Sequence, residues 1–154
     1  PWTVGKMIGK GAEKEVFELG TDRKWACKIV EGAHVINAEA LRAEYQLLNG
    51  PLKSLQGSMV PSIPSATATD ELSPMPYVEN CEGYNIAVVA RMNAELLTGV
   101  PAMVDEARAR GDTAVDLSKL ATRLVDMCEA LHKKGFVNVD IKPENLMVDQ
   151  QGNL

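Results

Sequence analysis

The sequence predicts an α+β fold of two unlike lobes, an antiparallel sheet lobe followed by a helical one. Three observations carry this reading. Short apolar runs divided by glycine-bearing turns fill the first thirty residues. The apolar period then turns helical, and extended patterning returns before residue 90. The last third of the chain is helical up to a loop crowded with charged and amide side chains. Sheet, helix, sheet, then helices and a polar loop place the junction of the lobes near residues 90–93.

Each element has a local cause. Met7-Ile8 runs into Gly9-Lys10-Gly11, and Val16-Phe17-Glu18-Leu19 resumes an extended pattern. Gly20-Thr21-Asp22 is a turn, and Trp25 to Val30 is a third strand, which completes an antiparallel meander. From Ala33 to Asn49 the spacing is helical, with Ile36, Ala40, Leu47 and Leu48 as the expected apolar stripe and Gly50-Pro51 as the stop. Residues 51–76 read as a long loop with one short strand inside it. Pro61, Pro64, Pro74 and Pro76 forbid a helix or central strand there. Tyr84 to Ala90 is a buried strand. Pro101 to Arg110 is a short helix closed by Gly111, and a long helix starts near Asp116. Leu117, Leu120, Leu124, Cys128 and Leu131 recur along it at helical spacing, and Lys133-Lys134-Gly135 ends it. Leu146 to Val148 and the turn Asp149 to Gly152 read as the start of a hairpin.

Composition narrows the class. With 154 residues, 45% apolar and 24% charged, the chain suits a globular domain with a real core. A net charge of −5 argues against nucleic acid as the main partner. Cys27, Cys81 and Cys128 are odd in number and lack C-x-x-C spacing, so they read as reduced, packed thiols. No apolar run reaches the roughly 20 residues a membrane span needs. No signal peptide is visible, but the chain opens at Pro1, so its N-terminus gives no compartment.

Asp140-Ile141-Lys142-Pro143-Glu144-Asn145 is the most informative stretch. The aspartate can accept a proton from a hydroxyl, the lysine can neutralise a transferring phosphoryl group, and the asparagine can ligate magnesium. Gly9-x-Gly11 between two strands can bring a backbone turn close to phosphates. Where a third glycine would complete that loop stands Lys14, which either adds a charge contact to phosphate or lies in solvent. Lys28 sits inside an apolar strand, where an ammonium is costly unless paired. Glu44, four residues from both Ala40 and Leu48, is the better placed partner; Glu39 is the alternative.

Gly9-x-Gly11…Val16, Ala26-x-Lys28, Glu44-x-x-Leu47-Leu48 and Leu131-His132…Asp140-x-Lys142-Pro143-x-Asn145 together resemble the eukaryotic protein kinase family, in order and in spacing. The resemblance implies a two-lobed kinase fold, with 1–92 as N-lobe and hinge and 93–154 as the start of the C-lobe. The rest of that domain, including a second magnesium-binding aspartate, would fall beyond Leu154. It implies ATP and magnesium as cofactors and a protein hydroxyl as substrate. Lys28 would contact the α- and β-phosphates, Glu44 would anchor it, Asp140 would be the base and Asn145 a magnesium ligand. Lys142 is similar to the serine/threonine-specific version. Ile8, Val16, Ala26 and Met147 would sandwich adenine. Val89 would guard the back of that pocket, and the backbone of Ala90 to Met92 would meet the adenine edge.

Two departures matter. Asn138-Val139 replaces the family's His-Arg, so a loop arginine for an activating phosphate is missing. Lys14 replaces a glycine. Both leave open a second reading, a pseudokinase serving as scaffold or allosteric partner. A kinase-like fold acting on a small molecule is a third. The Pro-rich insert and the altered loop also resemble the rhoptry kinases of apicomplexan parasites. That likeness implies a secreted effector, whereas the reduced thiols point to the cytoplasm.

Overall fold

The structure is a computed structural model that describes residues 2–12, 14–21, 24–65, 73–91, 109–111 and 117–137. The chain forms two compact units, Pro1–Arg91 and Met92–Leu154.

In the first unit, β1 (Val4–Lys10), β2 (Glu15–Leu19) and β3 (Trp25–Glu31) form the meander. Helix α1 (Val35–Asn49) follows, then a short 3-10 helix at Lys53–Leu55, β4 (Tyr77–Cys81) and β5 (Tyr84–Ala90). The sheet has five strands in the order β1-β2-β3-β5-β4, and every pair is antiparallel. Gly20 turns the chain out of β2 with φ +70°. A Cβ there would lie 2.8 Å from the Trp2 ring, so both backbone and space require glycine.

Side chains alternate along each strand, so the sheet has two different faces. One carries Leu19, Trp25, Cys27 and Val88 in a buried cluster, with Trp2, Phe17, Ile29, Ile86 and Ala90 against it. The other carries Val30 and Ala87, which pack on Leu41 of α1, with Tyr77 beside them. Tyr45 of α1 stacks on Tyr77 with ring centroids 5.0 Å apart.

The buried stripe of α1 is Ala38, Leu41 and Leu48. This corrects the expected stripe in part. Leu48 is buried and Leu47 half-buried, but Ala40 is exposed and Ile36 is 82% exposed. Ile36 belongs to the first helical turn, ahead of the contact with the sheet. Ala40 sits about 100° round the helix from Leu41.

The strand expected inside 51–76 instead begins at Tyr77. The described residues of 51–76 form no strand, only an isolated bridge between Gln56 and Val60. Pro74 and Pro76 have no N–H to give a ladder. The Pro76 carbonyl still accepts from Val88 N–H at 2.9 Å, and the strand starts at Tyr77, the first residue past the prolines. Gln56 holds the insert to α1. Its Nε2 donates to the Leu48 carbonyl at 2.7 Å, and its Oε1 accepts from Ile63 N–H at 3.3 Å.

In the second unit, helix α2 spans Leu117–Lys133. Leu124, Cys128 and Leu131 are half-buried on the expected stripe. The helix closes as the sequence predicts. Gly135 takes φ +83°. Phe136 N–H donates to the Leu131 carbonyl at 3.0 Å and Gly135 N–H to the His132 carbonyl at 2.9 Å, a Schellman ending. The short helix expected over 101–110 and the hairpin expected over 146–152 lie wholly or largely outside the described residues. No helix among the described residues is long and apolar enough to cross a membrane.

All three cysteines are free. The packed reading holds for Cys27 and, in part, Cys128, but Cys81 is exposed on edge strand β4. Burial pushes the Cys27 thiol up to about 11.

Candidate functional site

The sheet supplies the floor of the site. Register sets Gly9 opposite Val16, Val16 opposite Lys28, and Lys28 opposite Ala87. The next rung on that face is Glu18, Ala26 and Val89. Ala26 and Val89 are buried and Val16 is half-buried. Ile8 is half-buried in β1, where the register shifts between Met7 and Gly9.

Helix α1 lies on the same face. Glu44 stands three residues after Leu41 and four before Leu48, so it flanks the buried stripe. Lys28 Nζ donates to Glu44 Oε1. Lys14 Nζ donates to the other oxygen, Oε2, at 2.8 Å. One carboxylate thus holds two ammonium groups. The Lys28 side chain is 17% exposed, Glu44 33% and Lys14 35%. Glu39 is exposed and is not the partner of Lys28.

The electrostatics follow from burial and charge. Burial pushes the Lys28 ammonium below the usual lysine range, Glu44 pulls it back up, and Lys14 adds a further downward push. Burial alone would raise the Glu44 carboxyl, but Lys28 and Lys14 together hold it below the usual carboxylate range. The site thus sets two basic side chains against one acidic one.

The glycine-bearing hairpin borders this group. Gly11 N–H donates to the Lys14 carbonyl at 2.9 Å and closes the turn between β1 and β2. Neither Gly9 nor Gly11 has a positive φ. A Cβ on Gly9 would meet Val16 at 3.7 Å, and one on Gly11 would meet the Lys14 carbonyl at 3.7 Å, both ordinary contacts. The chain's own packing therefore does not demand glycine at either position. A reason outside that packing, such as close approach of a ligand to the turn, fits both.

The structure brings together Gly9, Gly11, Val16, Ala26, Lys28, Glu44 and Val89 of the expected site residues. Met92, Asp140, Lys142, Asn145 and Met147 lie outside the described residues. Sequence reasoning missed a second ion pair. Glu18 Oε1 lies 3.1 Å from Arg91, whose side chain is only 10% exposed. Arg91 is also tied by its N–H to the Lys24 carbonyl at 2.9 Å. The chain leaving β5 is thus fastened to β2 and to the residue just ahead of β3. Period-two alternation from Val16 places Glu18 on the Lys28 face, and that was the available signal.

No family model matches the sequence. The serine/threonine-protein kinase OXI1 of Arabidopsis thaliana is 25% identical over 162 residues, which cover 98% of this chain and 34% of that protein. The CBL-interacting serine/threonine-protein kinase 15 of the same plant is 26% identical over 163 residues, 99% of this chain and 32% of that protein. The chain thus spans about a third of the length of these curated relatives. Among solved structures, vaccinia related kinase 3 matches with a TM-score of 0.53 at 18% identity, over 97% of this chain and 44% of that one. The fold is that of a protein kinase, an N-lobe sheet with its helix and the first part of the helical C-lobe.

Proposed function

We propose that the protein is a protein kinase of the serine/threonine type that transfers the γ-phosphoryl group of ATP to protein hydroxyls with magnesium. The observation that supports this best is the Lys28–Glu44 pair, set within an apolar sheet beside the two-glycine hairpin. An ammonium this buried, held by a carboxylate on a packed helix, is suited to gripping phosphates in fixed geometry.

Bound ATP supplies the phosphoryl group, and bound magnesium offsets the charge of its oxygens. Lys28 holds the α- and β-phosphates, and Glu44 keeps Lys28 from turning away. Val16, Ala26 and Ile8 would line the adenine from the sheet, with Val89 at the back, and Met147 is the further adenine contact that the kinase resemblance implies. Ala90 N–H is engaged by the Ser62 carbonyl at 2.7 Å, so its contact with the adenine edge falls to its carbonyl, and Met92 supplies the N–H. Asp140 would take the proton of the substrate hydroxyl, Lys142 would offset the charge of the transferring group and Asn145 would be the magnesium ligand. The two plant relatives, each named a serine/threonine-protein kinase, support the same reading.

One observation favours a second reading, a nucleotide-binding pseudokinase. Lys14 stands where the loop would have its third glycine, and the Gly11 N–H is already engaged by the Lys14 carbonyl. Asn138-Val139 in the catalytic loop points the same way. The likeness to rhoptry kinases rests on that dipeptide and the Pro-rich insert.

Transfer of labelled phosphate from ATP with magnesium to a generic protein substrate tests the proposal, with the Asp140→Asn variant alongside. Incorporation that vanishes in the variant is the expected result. Nucleotide binding without incorporation by the wild type would move the assignment to the pseudokinase.

A further inference from the structure

We propose that Lys14 is a second phosphate-binding cation of this site, held on Glu44 beside Lys28 and passed to a nucleotide's terminal phosphates when they enter. This rests on the nucleotide-binding reading above and gives a role to a residue which that reading leaves as a departure.

Four features support the assignment. Lys14 and Lys28 hold opposite oxygens of one carboxylate, so Lys14 already points at the place where Lys28 would meet phosphate. The trio gathers two basic side chains around one carboxylate, a grouping that suits a multiply charged anion better than a neutral ligand. The other lysines of the hairpin, Lys6 and Lys10, are paired with Glu18 at 3.9 Å and with Glu15 at 3.0 Å, not with Glu44. The Gly11 N–H is engaged within the turn, so a side-chain cation takes over part of what a backbone donor would give.

Lys14 can also move without disturbing the core. It sits in the turn between β1, an edge strand, and β2, its side chain is 35% exposed, and its flexible stem lets the ammonium swing while the backbone stays in register. Once Lys14 leaves, Glu44 is held by Lys28 alone. The downward push of Lys14 on the Lys28 ammonium is then relieved as the phosphates arrive.

The test is equilibrium binding of adenosine, ADP and ATP to the wild type, Lys14→Gln and Lys14→Arg, with thermal unfolding of each as a check on folding. The expected result is about tenfold weaker ATP binding in Lys14→Gln, the size of one lost charge-assisted hydrogen bond. ADP should weaken less, adenosine should not change, and Lys14→Arg should recover most of the ATP affinity. The wild type should also lose ATP affinity more steeply with salt than Lys14→Gln. ATP affinity that is equal in wild type and Lys14→Gln would overturn the role of Lys14 and leave nucleotide binding standing. So would equal losses for ATP and adenosine. A wild type that binds none of the three would overturn the nucleotide reading itself, and this role with it.

Discussion

Replacing Glu44 by Gln should destabilise the first unit more than replacing Lys28 by Met, although both break the same pair. Glu44→Gln strands two ammonium groups on one face, Lys28 at 17% and Lys14 at 35% exposure. Lys28→Met leaves Glu44 with Lys14 still at 2.8 Å and adds an apolar side chain to an apolar strand. Breaking a fully buried pair costs about 3–5 kcal/mol and an exposed one about 0–1 kcal/mol. Glu44 is one-third exposed, so the expected loss at pH 7 is about 2 kcal/mol for Glu44→Gln and under about 1 kcal/mol for Lys28→Met.

The pH dependence adds a signature. Glu44's folded carboxyl lies below its ordinary value. Its stabilisation is therefore present above the unfolded carboxylate range and is lost as pH falls through the folded value. Lys28 is depressed too, so folding favours its neutral form, and that penalty lifts as pH rises through its folded value. Glu44→Gln should lose part of the acid limb and gain stability toward alkaline pH, because the group that pulled Lys28 upward is gone. Urea unfolding at pH 4, 7 and 9.5 measures all of this. A loss below about 0.5 kcal/mol for Glu44→Gln at pH 7, or a larger loss for Lys28→Met, would refute the shared-carboxylate picture. Glu39→Gln, on an exposed residue, should stay within about 0.5 kcal/mol.

Three further outcomes are expected. Leu41→Ala, at 2% exposure where α1 meets the sheet, should cost about 2–4 kcal/mol by denaturant unfolding, whereas Ile36→Ala, at 82% exposure, should cost almost nothing. Gly20→Ala should lower stability by about 1–3 kcal/mol, since φ is +70° and the new methyl would press on the Trp2 ring. A thiol reagent at neutral pH should label Cys81 and leave Cys27 untouched in the native protein; native labelling of Cys27 would contradict its burial and its raised pKa of about 11.

Strands were legible wherever an apolar run was unbroken. Tyr84 to Ala90 has the bounds read from the sequence, because only Asn85 interrupts it and Gly83 marks its start. The phase of α1 was harder. Ala38, Ala40 and Ala43 scatter small apolar side chains around the helix, and alanine is as compatible with water as with a core. The sheet chose Ala38 and Leu41. Glu44 was found by a stripe that was partly misdrawn, yet it still flanks Leu48. The partners of Lys14, Glu18 and Arg91 were beyond a local reading, because each is brought in by a strand or helix remote in sequence. Register, once known, makes them obvious.

The strand order has a kinetic consequence. β1, β2 and β3 pair with their sequence neighbours, but β5 must cross back to lie between β3 and β4, joining Trp25 to Ala90 and Glu31 to Tyr84. Closing that ladder brings together segments separated by α1 and the whole Pro-rich insert. Loop-closure entropy rises by only about 0.6 kcal/mol per doubling of length, so inserts of quite different size between Pro51 and Pro76 should fold to nearly equal stability. Order of assembly is what the topology fixes. The meander should acquire protection first in pulsed hydrogen exchange, and β5 should be the late, rate-setting arrival.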